Sequence, residues 1–414
     1  MNPKRHRILY VEQPAFVGGA VISLYELVRG LDTSLYEPIM LFYGPNPYRE
    51  QFRALGVKVI TLSEQAPTAT PSAGSQRDIA ASLSRYGNWL ATGYRAAQEV
   101  YVATRRDWPL ARRVAHVIRN KAIDLVHHNN SLRGNRATVM AARLAGVPQV
   151  CHMRMSLSRL SFFKRSLARF VNAFIYISKA VERSCRNQGI AADKGQVVYN
   201  PINVEVFGQP DGVGELRAEF GLAAQDQLIS NIGRLDWWKG HEYFLQAMAE
   251  VVQSQPDTKA LIVGEPDSSH LSQAYYQRLQ QLVTDLQLSH HVIFTGFRTD
   301  VPRIMAASDI VVHSASEPEA FGRVIVEAMA AGRPVIATAA GGVLDIIEDQ
   351  VTGLLVPPKN GALMAKAVQQ LLQNREQARM IGQRAQQVAK ERFSVKQHRA
   401  AVQRIYQKIL APYP

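Results

Sequence analysis

The chain has 414 residues, of which 47% are hydrophobic and 20% are charged, so its composition is that of a folded protein too long for one typical domain. Its net charge of +14 is uneven, because residues 1–200 carry 28 Lys and Arg against 12 Asp and Glu, whereas residues 201–414 carry 20 against 22. The sequence has no zinc-finger spacing, aromatic RNA-binding signature or Lys/Arg-rich tail, so the charge favours an anionic membrane surface over nucleic acid and leaves an acidic acceptor open.

The beginning of the chain predicts a cytoplasmic protein, held at most peripherally on the inner face of the cell membrane. Residues 1–7 lead directly into an apolar strand at 8–11 without the core of a signal peptide, and no apolar run is long enough to span a bilayer. Cys151 and Cys185 offer neither a disulfide framework nor metal-ligand spacing, which agrees with a reducing compartment.

Short β-branched runs alternate with helix-length segments along the first half. Strands separated by helices form parallel sheets with right-handed crossovers, so this half predicts one Rossmann-like α/β domain. The predicted strands are 7–12, 38–43, 57–61, 123–127, 148–152 and 173–177, and the predicted helices are 20–30, 78–120, 134–145, 158–170 and 179–188.

Glycines and histidines mark the strand ends of this domain. Gly18 and Gly19 follow the first strand and open a helix, where small residues let a backbone approach a ligand closely. His152 ends a strand. His127 and His128 end another, but adjacent strand residues point to opposite faces, which argues against a shared metal.

Two basic stretches in the first half carry aromatic and aliphatic residues at helical spacing. One runs from 79 to 119 after a segment at 66–77 that predicts a loop, and the other, from 153 to 169, includes Arg159, Lys164, Arg165 and Arg169. Two interpretations remain open. The helices either bury one face on the sheet or lie on anionic headgroups with their apolar side dipped inward.

The second half of the sequence shows the same alternation of strand and helix segments, which predicts a second Rossmann-like domain. A turn-rich segment at 199–208 connects the two, so we expect domains at 1–200 and 201–395, with a helix at 396–414 returning to the first domain. Ligands of open parallel sheets bind beyond the carboxyl ends of the strands, which predicts a cleft between facing domains. The predicted strands are 227–232, 259–263, 291–294, 309–313, 334–337 and 353–356.

A loop after the first strand of this domain carries two cations. Gly233 and Arg234 open the loop and Lys239 closes it, so the guanidinium and the ammonium can converge on a diphosphate. The alternative is that both are solvated loop cations.

Two carboxylates follow at a defined spacing around a glycine turn. Glu319 and Glu327 are eight residues apart, and the apolar pattern predicts a helix over 321–331, with Glu319 just before it and Glu327 on its second turn. A helix N-terminus suits an anionic ligand. A short strand then leads to Gly341 and Gly342, a second turn able to offer N–H groups to phosphate oxygens.

The run from residue 314 to residue 358 resembles the donor-site signature of retaining glycosyltransferases of family 4, which have the GT-B fold. The similarity covers nearly the whole chain and is loosest from 64 to 122, where acceptor choice usually lies in this family. The matching pieces are the E-x7-E pair Glu319 and Glu327, the phosphate turn Gly341-Gly342 and the strand at 351–357.

The resemblance implies both the reaction that the protein catalyses and the role of each site residue in it. It implies a hexosyltransferase that uses a nucleotide-diphosphate sugar in polysaccharide biosynthesis, with a lipid-linked or cell-surface glycan acceptor. Same-face, ion-pair-like substitution would retain the anomeric configuration. The implied catalytic residues are Arg234, Lys239, Glu319 and His152, with Arg234 and Lys239 on the diphosphate, Glu319 on the donor sugar and His152 orienting it. The implied donor-binding residues are Gly18, Gly19, Gly233, Phe321, Gly322, Glu327, Gly341 and Gly342, with Glu327 on the ribose and Phe321 and Gly322 contributing backbone N–H groups.

No Asp-x-Asp occurs in the sequence, so we expect neither a divalent metal nor any other cofactor. Cationic side chains and helix N-termini would stabilise the leaving group instead. A phosphorylase or epimerase on the same scaffold, or a non-catalytic nucleotide-sugar-binding protein, remains the alternative.

Overall fold

The structure is a computed structural model and describes residues 5–12, 18–63, 88–157, 160–190, 192–208 and 210–411. The chain divides into two compact units. The first consists of residues 1–177, 181–198 and 399–414, and the second of residues 178–180 and 199–398. None of the described helices combines the length and the apolar character that crossing a bilayer demands.

The described strands of the first unit all run parallel in one sheet. They are β1 (His6–Glu12), β2 (Tyr36–Phe42), β3 (Lys58–Thr61), β4 (Leu125–His128), β5 (Gln149–Met153), β6 (Ala173–Tyr176) and β7 (Gly195–Val197). Their order across the sheet is β3-β2-β1-β4-β5-β6-β7. The helices before residue 199 are α1 (Gly19–Arg29), α2 (Arg49–Ala54), α3 (Asn88–Val102), α4 (Trp108–Asn120), α5 (Arg136–Ala145), α6 (Phe162–Ala168) and α7 (Lys179–Arg186).

Both faces of this sheet are covered, which is why its strands are nearly continuous apolar runs. Successive side chains of β1 point to opposite faces, so Ile8 and Tyr10 join one core cluster and Leu9 and Val11 the other. The cluster around Tyr10 also contains Tyr406, which lies near the end of the chain.

The second unit contains a parallel sheet of its own. Its described strands are β8 (Gln227–Ile232), β9 (Thr258–Val263), β10 (Val292–Gly296), β11 (Ile310–His313), β12 (Val335–Thr338) and β13 (Leu354–Val356). They are ordered β10-β9-β8-β11-β12-β13. The helices are α8 (Val204–Gly208), α9 (Val213–Glu219), α10 (His241–Ser254), α11 (His270–Asp285), α12 (Val301–Ala307), α13 (Arg323–Ala330), α14 (Gly361–Gln373), α15 (Arg375–Arg392) and α16 (Val395–Leu410), the last of which enters the first unit at residue 399.

The prediction of two Rossmann-like α/β domains with parallel sheets is confirmed. One strand was missed, since β7 has three residues and no apolar alternation. The segment at 66–77 lies outside the described residues, as do residues 78–87 of the predicted helix 78–120.

The described part of that long helix is interrupted by a π-helical turn at Ala103–Asp107. Asp107 is buried and its Oδ2 lies 2.7 Å from Nη2 of Arg136, while Thr104 Oγ1 donates to the carbonyl of Val100 at 2.9 Å. The extra residue of a π turn changes the direction of the side chains that follow it. Apolar periodicity alone does not reveal such a turn.

Candidate functional site

Lys239 and Glu319 meet at the carboxyl edge of the second sheet. Lys239 ends the 3₁₀ turn Trp237–Lys239 that follows β8, and Glu319 lies in the loop that follows β11. Because β8 and β11 are paired parallel neighbours, their carboxyl ends lie side by side. Nζ of Lys239 donates to Oε1 of Glu319 and also lies 4.3 Å from the centre of the Trp238 ring.

Backbone contacts hold these two loops together. Gly240 has a left-handed φ of 66°, and a side chain there would overlap the carbonyl oxygen of Ser314. Oγ of Ser314 donates to the carbonyl of Lys239 at 2.9 Å and accepts from Nδ2 of Asn231 at 2.8 Å. The N–H of Ser316 donates to the carbonyl of Trp238 at 2.9 Å. Because position 240 is a glycine, the two loops can approach this closely at the carbonyl oxygen of Ser314.

His313, the last residue of β11, lies beside the same carboxylate. Its Nε2 is 3.4 Å from Oε1 of Glu319, and its side chain is 4% exposed. Burial alone would raise the pKa of Glu319, but Lys239 and His313 more than offset burial and hold that pKa well below its ordinary value. Glu319 is therefore a carboxylate at neutral pH, with one oxygen held by two nitrogen groups.

The Gly341-Gly342 turn packs against the Glu319 loop. Gly341 bridges Glu319 in a short parallel pairing, and the N–H of Gly342 donates to the carbonyl of Glu319 at 2.7 Å. A side chain at Gly342 would overlap the carbonyl oxygen of Ala320. The expectation that this turn offers its N–H groups to phosphate is thus corrected for Gly342, whose N–H is already used to shape the carboxylate loop.

Glu327 has a partner on its own helix. Nε of Arg323 lies 2.7 Å from Oε1 of Glu327, and the two side chains are 20% and 14% exposed. Burial raises the pKa of Glu327, an effect that Arg323 opposes. The helix begins at Arg323 rather than at 321 as predicted, because Gly322 has a φ of 100° and caps it. Glu327 is on its second turn, as the spacing predicts.

Phe321 contributes packing as well as backbone to this region. Its side chain is 3% exposed and lies 6.3 Å from the ring of Tyr199 and 6.0 Å from the ring of Phe393. A buried ring leaves only the main chain of Phe321 available to a ligand. The aromatic cluster fixes the position of that main chain, next to Gly322, the N-cap of α13.

Arg234 and Lys239 do not share a partner. Nη2 of Arg234 is 2.8 Å from Oδ2 of Asp236, and its side chain is 55% exposed. The N–H of Gly233 donates to the carbonyl of Val263 at 2.9 Å, which joins this loop to the end of β9. The structure therefore places a solvent-facing guanidinium and a largely shielded ammonium on one loop, each with its own carboxylate.

In the first unit, His152 is fully buried at the end of β5. Its Nδ1 lies 3.4 Å from Nη2 of Arg154, and its ring centre lies 5.4 Å from that of His127. Arg154 is itself buried and donates from Nε to Oδ1 of Asn129 at 2.5 Å. Arg154 is thus part of an internal polar network and does not belong to a basic surface.

Gly18 and Gly19 lie where β1 gives way to α1, with Gly18 as the N-cap in an extended conformation. At the end of β1 the buried carboxylate of Glu12 accepts from Nδ2 of Asn129 and from Nδ2 of Asn130, the latter at 2.5 Å. This carboxylate was not predicted. Nδ2 of Asn129 also donates to the carbonyl of Ala20 at 3.3 Å, which links this carboxylate network to the first turn of α1.

The two adjacent histidines of β4 face different partners. Nδ1 of His127 lies 2.6 Å from the hydroxyl of Tyr406, whereas Nε2 of His128 lies 2.7 Å from Oε1 of Gln149. Burial lowers the pKa of His128 to about 4, so it is neutral at pH 7. Across the described residues, no three His, Cys, Asp or Glu side chains are grouped so that they could hold a metal ion.

Sequence reasoning missed several partners in this site. Asp236 follows Arg234 at i+2, and Arg323 precedes Glu327 at i−4, a spacing that by itself predicts a helical ion pair. No sequence spacing predicts the contact between His313 and Glu319, because that contact depends on how the loop after β11 folds back.

Comparisons with known proteins find matches for both units of the chain. The family profile described as "Glycosyl transferases group 1" matches residues 213–388, and that described as "Glycosyltransferase Family 4" matches residues 17–206. The Anabaena Alr3699/HepE structure in complex with UDP superposes with a TM-score of 0.79 at 25% identity, covering 97% of this chain and 100% of that one. The same protein has also been solved with UDP-glucose, with a TM-score of 0.78 at 25% identity over 97% of this chain and 99% of that one.

Curated relatives match over shorter regions. N-acetyl-alpha-D-glucosaminyl L-malate synthase of Bacillus anthracis is 31% identical over 52% of this chain and 54% of its own length. D-inositol 3-phosphate glycosyltransferase of Mycobacteroides abscessus is 35% identical over 42% of this chain and 38% of its own length. The chain thus spans about half or less of the length of these relatives.

Proposed function

Because the chain belongs to the group 1, family 4 glycosyltransferases, which have the GT-B fold, we propose that it transfers a hexose from a UDP-sugar to a hydroxyl of an acceptor. UDP is favoured because a similar structure binds UDP and UDP-glucose. The acceptor is a lipid-linked or cell-surface glycan precursor.

One observation carries this proposal, namely the Lys239–Glu319 pair at the carboxyl edge of the second sheet. Breaking the bond between an anomeric carbon and a diphosphate develops negative charge on phosphate oxygen, and a preorganised ammonium stabilises that charge. The free oxygen of Glu319 is placed to accept from a sugar hydroxyl beside it. Arg234, with its exposed guanidinium, supplies a second donor to the diphosphate.

The configuration of the sugar is retained in this proposal. The departing phosphate takes the acceptor proton while the acceptor oxygen attacks the same face of the sugar. His152 keeps the orienting role that the family resemblance implies, and Nη2 of Arg154 lies 3.4 Å from its Nδ1. Gly18 and Gly19 line the diphosphate, and Glu327 binds the ribose hydroxyls.

The nucleotide can be tested by thermal unfolding in the presence of UDP-, GDP- and ADP-sugars. A ligand at a hundred times its dissociation constant adds about 2.7 kcal/mol to the free energy of unfolding. We expect the midpoint to rise with UDP-sugars alone. A rise with none of the three would contradict a sugar-nucleotide transferase.

Catalysis is expected to be independent of divalent metal, because the sequence has no Asp-x-Asp and the leaving group has cationic partners in Lys239 and Arg234. Sugar transfer should continue in excess chelator. Loss of transfer that magnesium or manganese restores would refute this expectation.

A groove of about 940 Å³ in the first unit supports a membrane-bound acceptor. Four of its lining side chains are Arg112, Arg113, His116 and Arg119 of α4, and its described lining contains no Asp or Glu. Trp108 at the start of α4 is 45% exposed beside them. Arginines around an exposed indole match an anionic bilayer, since the ring enters the interface while the cations meet headgroups.

The second basic stretch contributes less to such a surface. Lys164 is paired with Glu99 at 2.6 Å and Arg154 is buried, while Arg165 and Arg169 are exposed. Arg159 lies outside the described residues.

Arg112, Arg113 and Arg119 therefore replace the stretch at 153–169 as the cations whose removal tests membrane binding.

We expect the chain to sediment with vesicles that contain anionic lipid and to remain in solution with neutral ones. Each Lys or Arg near such a surface contributes about 1 kcal/mol, so changing Arg112, Arg113 and Arg119 to Ser should remove most of the binding. Binding should also fade as salt rises.

A matched control removes three exposed cations from α15, by changing Arg375, Arg384 and Lys390 to Ser, and should leave vesicle binding intact. If the unmodified chain ignores anionic vesicles at low salt, the basic surface belongs to an acidic soluble acceptor. The names of two relatives include acidic compounds, L-malate and D-inositol 3-phosphate.

A further inference from the structure

The ion pair between Lys239 and Glu319 is largely shielded from water. The two side chains are 18% and 13% exposed, so neither charge is well solvated. A diphosphate that draws the ammonium toward itself leaves the carboxylate without its counter-charge. Removing one partner from such a pair leaves an uncompensated charge out of water, and that cost would be subtracted from the affinity for the donor.

His313 is placed to remove that cost. Its Nε2 lies 3.4 Å from Oε1 of Glu319, the same oxygen that Lys239 holds. A carboxylate only accepts, so Nε2 carries the hydrogen. Nδ1 is buried and has no hydrogen-bond partner among the described residues, which leaves it as the nitrogen that can take a second proton.

We propose that His313 is a positioning residue that takes up a proton when the donor diphosphate engages Lys239, so that the imidazolium replaces the ammonium as the counter-charge of Glu319. The proposal rests on the proposed function, because it needs a diphosphate at Lys239. Its consequence is that donor affinity falls as pH rises. For one linked proton the change is at most about tenfold per pH unit.

The other titratable groups around this imidazole do not compete for the proton. His241, at the start of α10, directs Nε2 to the carbonyl of Arg234 at 3.0 Å, and burial lowers its pKa to about 4. Asp236 is paired with Arg234. The strand on one side of β11 contributes the neutral Asn231, whose amide donates to Ser314.

The remaining neighbours of His313 are also uncharged or already paired. On β12 the residue in register with it is Ala337, which carries no charge. On α13, Glu327 is paired with Arg323. His313 is therefore the group that we expect to take up a proton when Lys239 moves from Glu319 to the diphosphate.

The test is calorimetric titration of UDP into the full chain, in buffers of different ionisation enthalpy, from pH 6 to pH 8.5. The variable is the number of protons taken up per UDP bound. His313→Gln keeps an N–H donor for Glu319 but cannot gain a charge. UDP exchanges protons of its own near neutral pH, so the informative quantity is the uptake by the unmodified chain minus that by H313Q.

We expect this difference to approach about one proton at its maximum, with UDP binding to H313Q weakened about tenfold at pH 6 and nearly equal to the unmodified chain at pH 8.5. His290→Gln, on an exposed histidine of the same unit, should behave like the unmodified chain. Equal uptake by H313Q and the unmodified chain, with both binding UDP, overturns the inference. Failure of the unmodified chain to bind UDP overturns the proposed function instead.

Discussion

Replacing Lys239 by alanine is expected to lower the turnover number on the order of a hundredfold, the scale of losing one preorganised charge donor to a leaving group. The ammonium is held in place by Glu319 and by the face of Trp238 before the donor arrives. Little reorganisation is then needed when charge develops on the phosphate. The measurement is the rate of sugar transfer at saturating donor.

Lys366→Ala is the matched control, because Lys366 is an exposed lysine of the same unit, and it should keep full turnover. Lys239→Ala also leaves Glu319 unpaired, so thermal unfolding must accompany the assay. Full turnover in a folded Lys239→Ala variant would remove this lysine from the mechanism. Arg234→Ala should lower turnover on a similar scale, since its exposed guanidinium is the second donor.

Replacing Gly341 by alanine is expected to abolish most activity and to lower the free energy of unfolding by about 3 kcal/mol. Gly341 has a φ of 66° and a ψ of −133°, a conformation that a side chain strongly disfavours. A Cβ there would also overlap the carbonyl oxygen of Glu319. The loop that carries the carboxylate must therefore move. Denaturant unfolding and transfer assays measure the two effects.

Gly332→Ala is the control that separates the cost of backbone strain from the cost of the overlap with the Glu319 carbonyl. Gly332 has a similar φ of 69°, but its nearest neighbour would be the side-chain amide of Gln386 at 3.4 Å. We expect a cost of about 1–2 kcal/mol there, with activity retained. An equal loss of activity in both variants would mean that the loop contact at Gly341 has no special role.

The strands were predictable because parallel strands buried on both faces are short apolar runs set off by turn residues. Elements that lack this apolar pattern were not predicted from the sequence. β7 has three residues and begins at Gly195, whose missing side chain makes room for the ring of Tyr176. The π turn before Trp108 was missed because it depends on the burial of Asp107 against Arg136, a contact between segments distant in sequence.

The residue types of the candidate site were visible in the sequence, but their pairing was not. Lys239 and Glu319 are 80 positions apart, and their contact follows from the adjacency of β8 and β11. The sequence predicts that Arg234 and Lys239 converge on one ligand, whereas each has a carboxylate partner in the structure. The roles assigned to these residues stay predictions.

The return of the chain into the first unit has a consequence for how the protein is made. Tyr406 on α16 is fully buried, with its hydroxyl 2.6 Å from Nδ1 of His127 and its ring 5.8 Å from that of Tyr36. A ribosome synthesises Tyr36 and His127 early but Tyr406 roughly 200 residues after the first segment ends, a delay of roughly 10–40 s at about 5–20 residues per second. Throughout that interval the nascent first unit lacks a core side chain, while every residue of the second unit emerges before Tyr406. The core around Tyr10 is therefore completed only after the whole of the second unit has been synthesised.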